Sequence, residues 1–369
     1  MIAVVGAGLM GAATAWQLTR TGHEVTLIEA YDIGHKHGSS HGTERIYRRA
    51  YTDPFHIRLT GQARDLWQEL EGDTGATLLT PTGGIDLGAD RAPAALARTL
   101  EDQGVPHELL GADEASERWP QFRFTGPVLH HPDAGTVNAD ATVAATVRRA
   151  AELGTRILTG VRVGGAARLP DGRVVLHTDG PEVVADTVVV AAGAWLPGLA
   201  ERFGVPLKLP PLRVTQQQVF HFRRRGPAAE WPVFVHKEQL QLYGLPSGSD
   251  GGPLPAYKVA QHDGGTPTTA TRRSGVVDPV SRTKVVNWVE RSMPGLDPTP
   301  VAEASCLYTT TPDEDFVLDR VGPVVIASAC SGHGAKFTPL IARMTADLAL
   351  GTAQPHPRFA LRRPTASRS

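Results

Sequence analysis

Six residues near the start of the chain carry the first chemical signal. Gly6-Ala7-Gly8-Leu9-Met10-Gly11 follows the apolar run Ile2-Ala3-Val4-Val5 and opens a segment of helical spacing. In that setting Gly6 permits a tight turn, Gly8 lets backbone approach a pyrophosphate, and Gly11 packs helix on strand. The helix start around Met10 then faces the phosphates with unpaired N–H groups and the positive end of its dipole. Glu29 follows the next apolar run, Val25 to Ile28, and lies 18 residues after Gly11. A carboxylate at that place accepts hydrogen bonds from ribose hydroxyls and disfavours a 2′-phosphate. These residues predict a dinucleotide site without separating FAD from NAD.

Thr187 to Trp195, TVVVAAGAW, reads as a buried strand ending in a small-residue turn at Gly193. A second strand and turn of this kind, returning beside the nucleotide from far downstream, is a habit of FAD folds. Two later segments are more specific: Ser305-Cys306-Leu307-Tyr308-Thr309-Thr310-Thr311-Pro312-Asp313 and Cys330-Ser331-Gly332-His333-Gly334-Ala335-Lys336-Phe337. With Ser40-His41-Gly42-Thr43-Glu44-Arg45-Ile46-Tyr47-Arg48, Tyr243-Gly244-Leu245-Pro246-Ser247 and Met293-Pro294-Gly295, the sequence resembles the monomeric sarcosine oxidase and N-methyltryptophan oxidase family. That family lies within the D-amino-acid-oxidase-like flavoproteins. The similarity runs over nearly the whole chain.

The resemblance implies roles residue by residue. Cys306 would carry FAD through a thioether to its 8α-methyl carbon, a bond that needs a thiolate and hence a lowered thiol pKa. Cys330 has no such context and reads as packing. Arg48 and Lys336 would hold a substrate carboxylate, the arginine by its fork and the lysine as a point charge. Lys258 would promote oxygen reduction as a fixed cation beside the flavin, and His262 would be an active-site histidine four residues on. Tyr243 and Tyr308 would shape the amine pocket. Arg45 and His41 would lie near the flavin ring, and Gly332, His333 and Gly334 beside the cofactor. The implied reaction oxidises the C–N bond of an N-methyl or other secondary amino acid to an imine, with O₂ reduced to H₂O₂. The chain also departs from the family. The stretch Gly248-Ser249-Asp250-Gly251-Gly252-Pro253 looks longer than in small-substrate members and borders the expected pocket. That departure favours a cyclic imino acid or a larger tailored amino acid over sarcosine. A dehydrogenase using another acceptor is a further alternative, against which Lys258 argues.

The elements that must position these residues follow from periodicity. Strands are expected at Ile2 to Val5, Val25 to Ile28, Arg156 to Leu158, Val161 to Val163, Val174 to His177, Val183 to Val190, Leu209 to Phe222, Tyr257 to Ala260, Val301 to Tyr308 and Val324 to Ala327. Helices are expected at Met10 to Thr21, Phe55 to Leu70, Pro93 to Leu100, from Asn138 to about Leu153, and Ala335 to Leu350. Residues 34 to 49 read as an ordered functional loop, 246 to 281 as loops, and the tail after Pro355 as frayed. The fold class is α/β: a Rossmann-like FAD-binding domain, with an interleaved mixed or antiparallel β-sheet substrate domain. The first comprises 1–80, 136–208 and 307–369, the second 81–135 and 209–306.

Composition bounds the rest. The chain has 369 residues, 41% hydrophobic and 20% charged, with a net charge of -1, so no broad basic field holds nucleic acid. The longest apolar run, Val188 to Leu196, has nine residues, about half a membrane span. No charged leader precedes the first strand and two cysteines make no disulfide scaffold, so a reducing cytoplasm is expected. No metal is called for. Of the basic residues 31 are Arg and only six are Lys, so a surviving lysine marks a place where a compact ammonium is needed.

Overall fold

The structure, a computed structural model, describes residues 1–226, 230–329 and 331–363. Among the described residues the strands form four sheets. The first runs, in spatial order, Val317–Val321, Val324–Ser328, Thr187–Val190, Ile2–Val5, Val25–Ile28 and Arg156–Leu158. Neighbours are parallel except the Val317–Val321 and Val324–Ser328 hairpin. Both faces are covered, and the alternation of side chains explains how. Ile2, Val4 and Leu27 pack under the helices Leu9–Arg20, Ala139–Glu152 and Thr338–Leu350, together with Trp16, Val143 and Ile341. Ala3, Val5, Val188 and Val190 point the other way, onto Leu176, Leu196 and Phe203. That second face carries the antiparallel meander Val163–Arg168, Val174–Thr178 and Val183–Ala185. The expected strand from 183 to 190 is therefore two strands in two sheets, broken at Asp186, and the one expected at 161–163 begins at Val163.

The largest sheet has nine strands and is mixed. Its middle is antiparallel: Arg213–Arg224 pairs with Ala256–Gln261, which pairs with Gln241–Pro246, which pairs with Val233–Lys237. Val233–Lys237 then joins Gly84–Leu87 in parallel. One correction concerns Leu296–Thr310. The sequence places a strand at 301–308 within the nucleotide fold, whereas this longer strand lies along Arg213–Arg224 in the large sheet. Its alternating exposure gave no sign of which sheet would take it. Phe220, Phe222, Phe234, Tyr257 and Trp231 cover the back of this sheet under the helix Pro279–Ser292. Burying one such ring stabilises by about 1.5–3 kcal/mol.

A small sheet of Glu44–Tyr47, Gly135–Asn138 and Leu79–Pro81 bridges the two bodies. The first of these strands interrupts the segment expected as loop. The region after Pro355 is not frayed as far as it is described. Phe359 is fully buried, its carbonyl accepts from Leu318 N at 2.9 Å, and Arg358 spans Asp53 and Asp315 at 2.5 and 2.8 Å. Cys330 lies outside the described residues.

Candidate active site

The glycine turn joins Val5 to the helix Leu9–Arg20. Gly6 adopts φ +99°, and a Cβ there would stand 2.6 Å from the Ala191 carbonyl. At Gly11 a Cβ would fall 1.8 Å from the carbonyl oxygen of Gly6, so helix and strand touch backbone to backbone. Gly8 precedes the helix without any side-chain cap, and Ser40 Oγ accepts from Leu9 N at 3.0 Å. Glu29 takes Ala7 N at 2.7 Å and Tyr31 N at 3.1 Å, with His35 Nε2 at 3.3 Å. Burial pushes its carboxyl up, but His35 and these N–H groups hold it below the ordinary value. It stays ionised, with lone pairs left for a diol. Gly193, at φ +49°, turns the chain after Thr187–Val190.

From Met10 a cavity of about 1070 Å³ runs between the parallel sheet and the large sheet. It gathers Met10, His41, Arg45, Arg48, Tyr243, Lys258, His262, Cys306, Tyr308, Gly332, His333, Gly334 and Lys336. Gly6, Gly8, Gly11, Glu29 and Gly193 do not line it; they build the turn and strand ends at its mouth.

Arg45 projects from Glu44–Tyr47 and ties down the loop before it, donating to Ser39 O at 3.1 Å and His41 O at 2.6 Å. His41 is half-buried and its Nε2 has no hydrogen-bond partner among the described residues. Burial, then Arg45, Arg273, Lys36 and Lys258, push its pKa down to about 4, so the ring is neutral. Lys258, on Ala256–Gln261, is buried; its Nζ donates to Asp250 Oδ2 at 2.8 Å and to Glu44 O at 3.4 Å.

Two further basic residues line the cavity, Lys336 buried and Arg48 partly exposed. Arg48 follows the strand Glu44–Tyr47, lies 4.1 Å from the Tyr51 ring centre and donates to the Ala50 carbonyl. Lys336 sits in the 3₁₀ turn Gly334–Phe337, and its Nζ donates to His333 O at 2.7 Å. Among the described residues neither enters an ion pair with a carboxylate. Burial and then Arg48 hold Lys336 well below its ordinary pKa, while burial lowers Arg48. The Asp86 carboxylate favours the Arg48 charge without an ion-pair contact, and an anion entering beside Arg48 and Lys336 offsets the cost of holding both charged there. Trp67 Nε1 donates to the Lys336 carbonyl at 2.8 Å and fixes the turn.

Cys306, Tyr308, Tyr243 and His262 come together on the large sheet. The two phenols hydrogen-bond each other, and burial pushes Tyr243 up to about 12 and Tyr308 well above its ordinary value. The His262 ring lies 5.5 Å from Tyr308 and 6.5 Å from Tyr243, and burial drops its pKa to about 4. Gly332 is the close approach that makes this possible: a Cβ there would stand 2.7 Å from Tyr308 and 2.8 Å from His262. Burial raises the Cys306 thiol above its ordinary value, against Arg45, Lys258 and Arg273. This corrects the expectation of a lowered thiol pKa. His333 bonds Tyr51 OH at 3.2 Å and Glu314 O at 3.0 Å, and packs 5.0 Å from the Phe316 ring.

Sequence reasoning missed several contributors. Tyr51, Trp67 and His221 carry no motif, and Thr43, inside the Ser40 to Arg48 segment, was given no role. Asp250 lay in the one loop marked as longer than usual, which was its only signal. The residues fit FAD: at Gly6 and Gly11 backbone packs too closely to admit a side chain, a cavity of about 1070 Å³ adjoins the turn at Leu9 and Met10, and buried His41 Nε2 has no hydrogen-bond partner among the described residues.

The comparisons agree with that fit. The chain is 32% identical to monomeric sarcosine oxidase of Streptomyces avermitilis, over 96% of this chain and 95% of that one. It is 30% identical to peroxisomal sarcosine oxidase of Homo sapiens, over 94% and 91%. The solved open form of NikD, described as an unusual amino acid oxidase essential for nikkomycin biosynthesis, superposes with TM-score 0.87. That pair is 26% identical and covers 97% of this chain and 96% of the other. The model of the DAO family, FAD dependent oxidoreductases, matches residues 1–348. No helix among the described residues is long and apolar enough to cross a membrane. The family match spans nearly all of the chain, which therefore belongs to the DAO family of FAD-dependent oxidoreductases.

Proposed function

We propose that the chain oxidises the C–N bond of an N-methyl or other secondary amino acid to an imine, with O₂ reduced to H₂O₂. The observation that carries this reading is the pair Arg48 and Lys336, both set against the Tyr51 ring, with no carboxylate in ion-pair contact with either among the described residues. They fit the carboxylate of an amino acid and fix its orientation by charge-assisted hydrogen bonds. Tyr243, Tyr308 and neutral His262 surround the amine end and exclude water. Bound FAD supplies the two-electron acceptor that protein side chains lack. Residues from Gly6 to Gly11 and Glu29 would hold its pyrophosphate and ribose, and Arg45 and His41 its ring system. Cys306 is the thiol for a covalent link. Lys258 provides the positive charge that favours electron transfer to O₂.

We keep the division of labour read from the sequence, with 1–80, 136–208 and 307–369 holding the cofactor and 81–135 and 209–306 roofing it. The strand Leu296–Thr310 runs through the junction at 306, so Cys306 and Tyr308 sit where both parts meet. The cysteine usage supports a cytoplasmic setting. A cyclic imino acid or larger amino acid is a second reading, favoured by the Ser249–Gly251 turn folding onto the cavity beside Lys258.

Release of H₂O₂ with sarcosine, N-methyl aromatic amino acids, proline and pipecolate tests both. Peroxide formed in step with imine is expected with at least one of these. Fast turnover with an anaerobic dye and none in air would overturn the oxidase assignment.

A further inference from the structure

The ammonium of Lys258 is not a bare charge. The turn Ser249–Gly251 sets Asp250 Oδ2 2.8 Å from Lys258 Nζ. Thr43 then holds the carboxylate from its other side, Oγ1 donating to Oδ1 at 2.5 Å and N to Oδ2 at 3.3 Å. The turn has little freedom to move. A Cβ at Gly248 would lie 2.4 Å from Thr43 Oγ1, and one at Gly251 would lie 2.6 Å from Ser247 Cβ.

The other charged and titratable groups around Lys258 come from every neighbouring element. Arg45, Glu44 and His41 come from the N-terminal loop and strand, and Asp140 from the first turn of Ala139–Glu152. Cys306 faces it from Leu296–Thr310. His221, on Arg213–Arg224, places Nε2 3.9 Å from Asp250 Oδ2 and is anchored through Nδ1 to Ser247 Oγ at 2.8 Å. Burial pushes the His221 pKa down to about 4, so this ring adds no charge near neutrality. Glu44 and Asp140 are both raised by burial. Asp250 is the carboxylate in direct contact.

We propose that Asp250 is a positioning residue that keeps Lys258 protonated and aimed into the cavity, through a counter-charge delivered by the 248–253 loop. The inference rests on the reading of this cavity as the flavin site. Its physical basis is a competition. Burial and the Arg45 guanidinium favour loss of the Lys258 proton, and Asp250 and Glu44 favour its retention. Without the Asp250 carboxylate the proton leaves at lower pH, and the cation needed beside the reduced cofactor disappears as pH rises through that value.

The signature is a pH-dependent potential. In the wild type the Lys258–Asp250 pair is neutral overall, whereas D250N leaves one uncompensated positive charge until Lys258 deprotonates. The midpoint potential of the bound flavin is measured on the holoenzyme from about pH 6 to about pH 9. D250N is expected to be more positive than the wild type at the acid end, and the difference to vanish towards the alkaline end. D250E is expected to follow the wild type. In a K258M background, D250N is expected to give a shift that does not change with pH. A pH-independent difference, or none, between D250N and the wild type overturns the proposal. If D250N does not retain flavin, D250S removes the same charge and is expected to give a difference of the same sign and pH trend; its absence likewise overturns the proposal. K258M separates the two layers. If K258M leaves the potential unchanged, the placement of Lys258 beside the flavin fails; if it shifts the potential and D250N does not, only the role of Asp250 fails.

Discussion

At Cys306 two effects oppose each other. Desolvation favours the neutral thiol, while Arg45, Lys258 and Arg273 favour the thiolate, and desolvation dominates. A thiol raised in this way opposes attachment, so a covalent link requires its proton to leave as flavin binds beside Arg45 and Lys258. With the link formed, the wild type is expected to keep its yellow colour in the pellet after acid precipitation, and C306S to release flavin to the supernatant. Wild-type colour in the supernatant would show a noncovalent cofactor. Gly6, Gly11 and Glu29 were legible because their chemistry is local: turn, close approach and acid follow one another in register. Thr43 and Trp67 were not, because each acts on a residue distant in sequence, and Asp250 was not, because the turn that brings it to Lys258 has no strand or helix period. Trp67 reaches Lys336 through a single N–H to a carbonyl, and no spacing rule announces such a contact.

Among the elements, those with a full periodic pattern were readable. The helix Ala139–Glu152 starts where Asn138 caps it, its side chain accepting from Ala141 N at 2.9 Å. The helix Pro279–Ser292 had an equally good start signal, Asp278 before Pro279, hidden by the Gly- and Pro-rich stretch ahead of it. Leu296–Thr310 was misassigned because strand pattern reports burial and not partners. The segment after Pro355 was misjudged because its anchors are two isolated side chains, Arg358 and Phe359, with no periodic pattern. Phe359 stacks 5.3 Å from Phe316, which also packs 5.3 Å from Phe337 beside Lys336. F359A is expected to lower stability by about 3–5 kcal/mol, read as an earlier denaturation midpoint. A change under about 0.5 kcal/mol, the size of an ordinary surface substitution, would show the segment to be dispensable.

For the whole molecule, a net charge of -1 averages over a cavity that gathers side chains of both signs. Arg45, Arg48, Lys258 and Lys336 line one cavity, where low-dielectric walls concentrate their field. Asp250 tempers that field at Lys258, and Arg48 and Lys336 leave it open for an incoming anion. The central claim is that this open pair selects a carboxylate-bearing amine and presents it for oxidation. Its most direct test is anaerobic bleaching of the yellow flavin by an oxidised N-methyl amino acid, compared with the same amine lacking its carboxylate. Loss of charge-assisted hydrogen bonds worth about 1.5–3 kcal/mol each predicts at least a ~10-fold weaker response to the decarboxylated amine in the wild type. K336M is expected to remove most of that preference. Equal bleaching by both amines in the wild type would contradict the account.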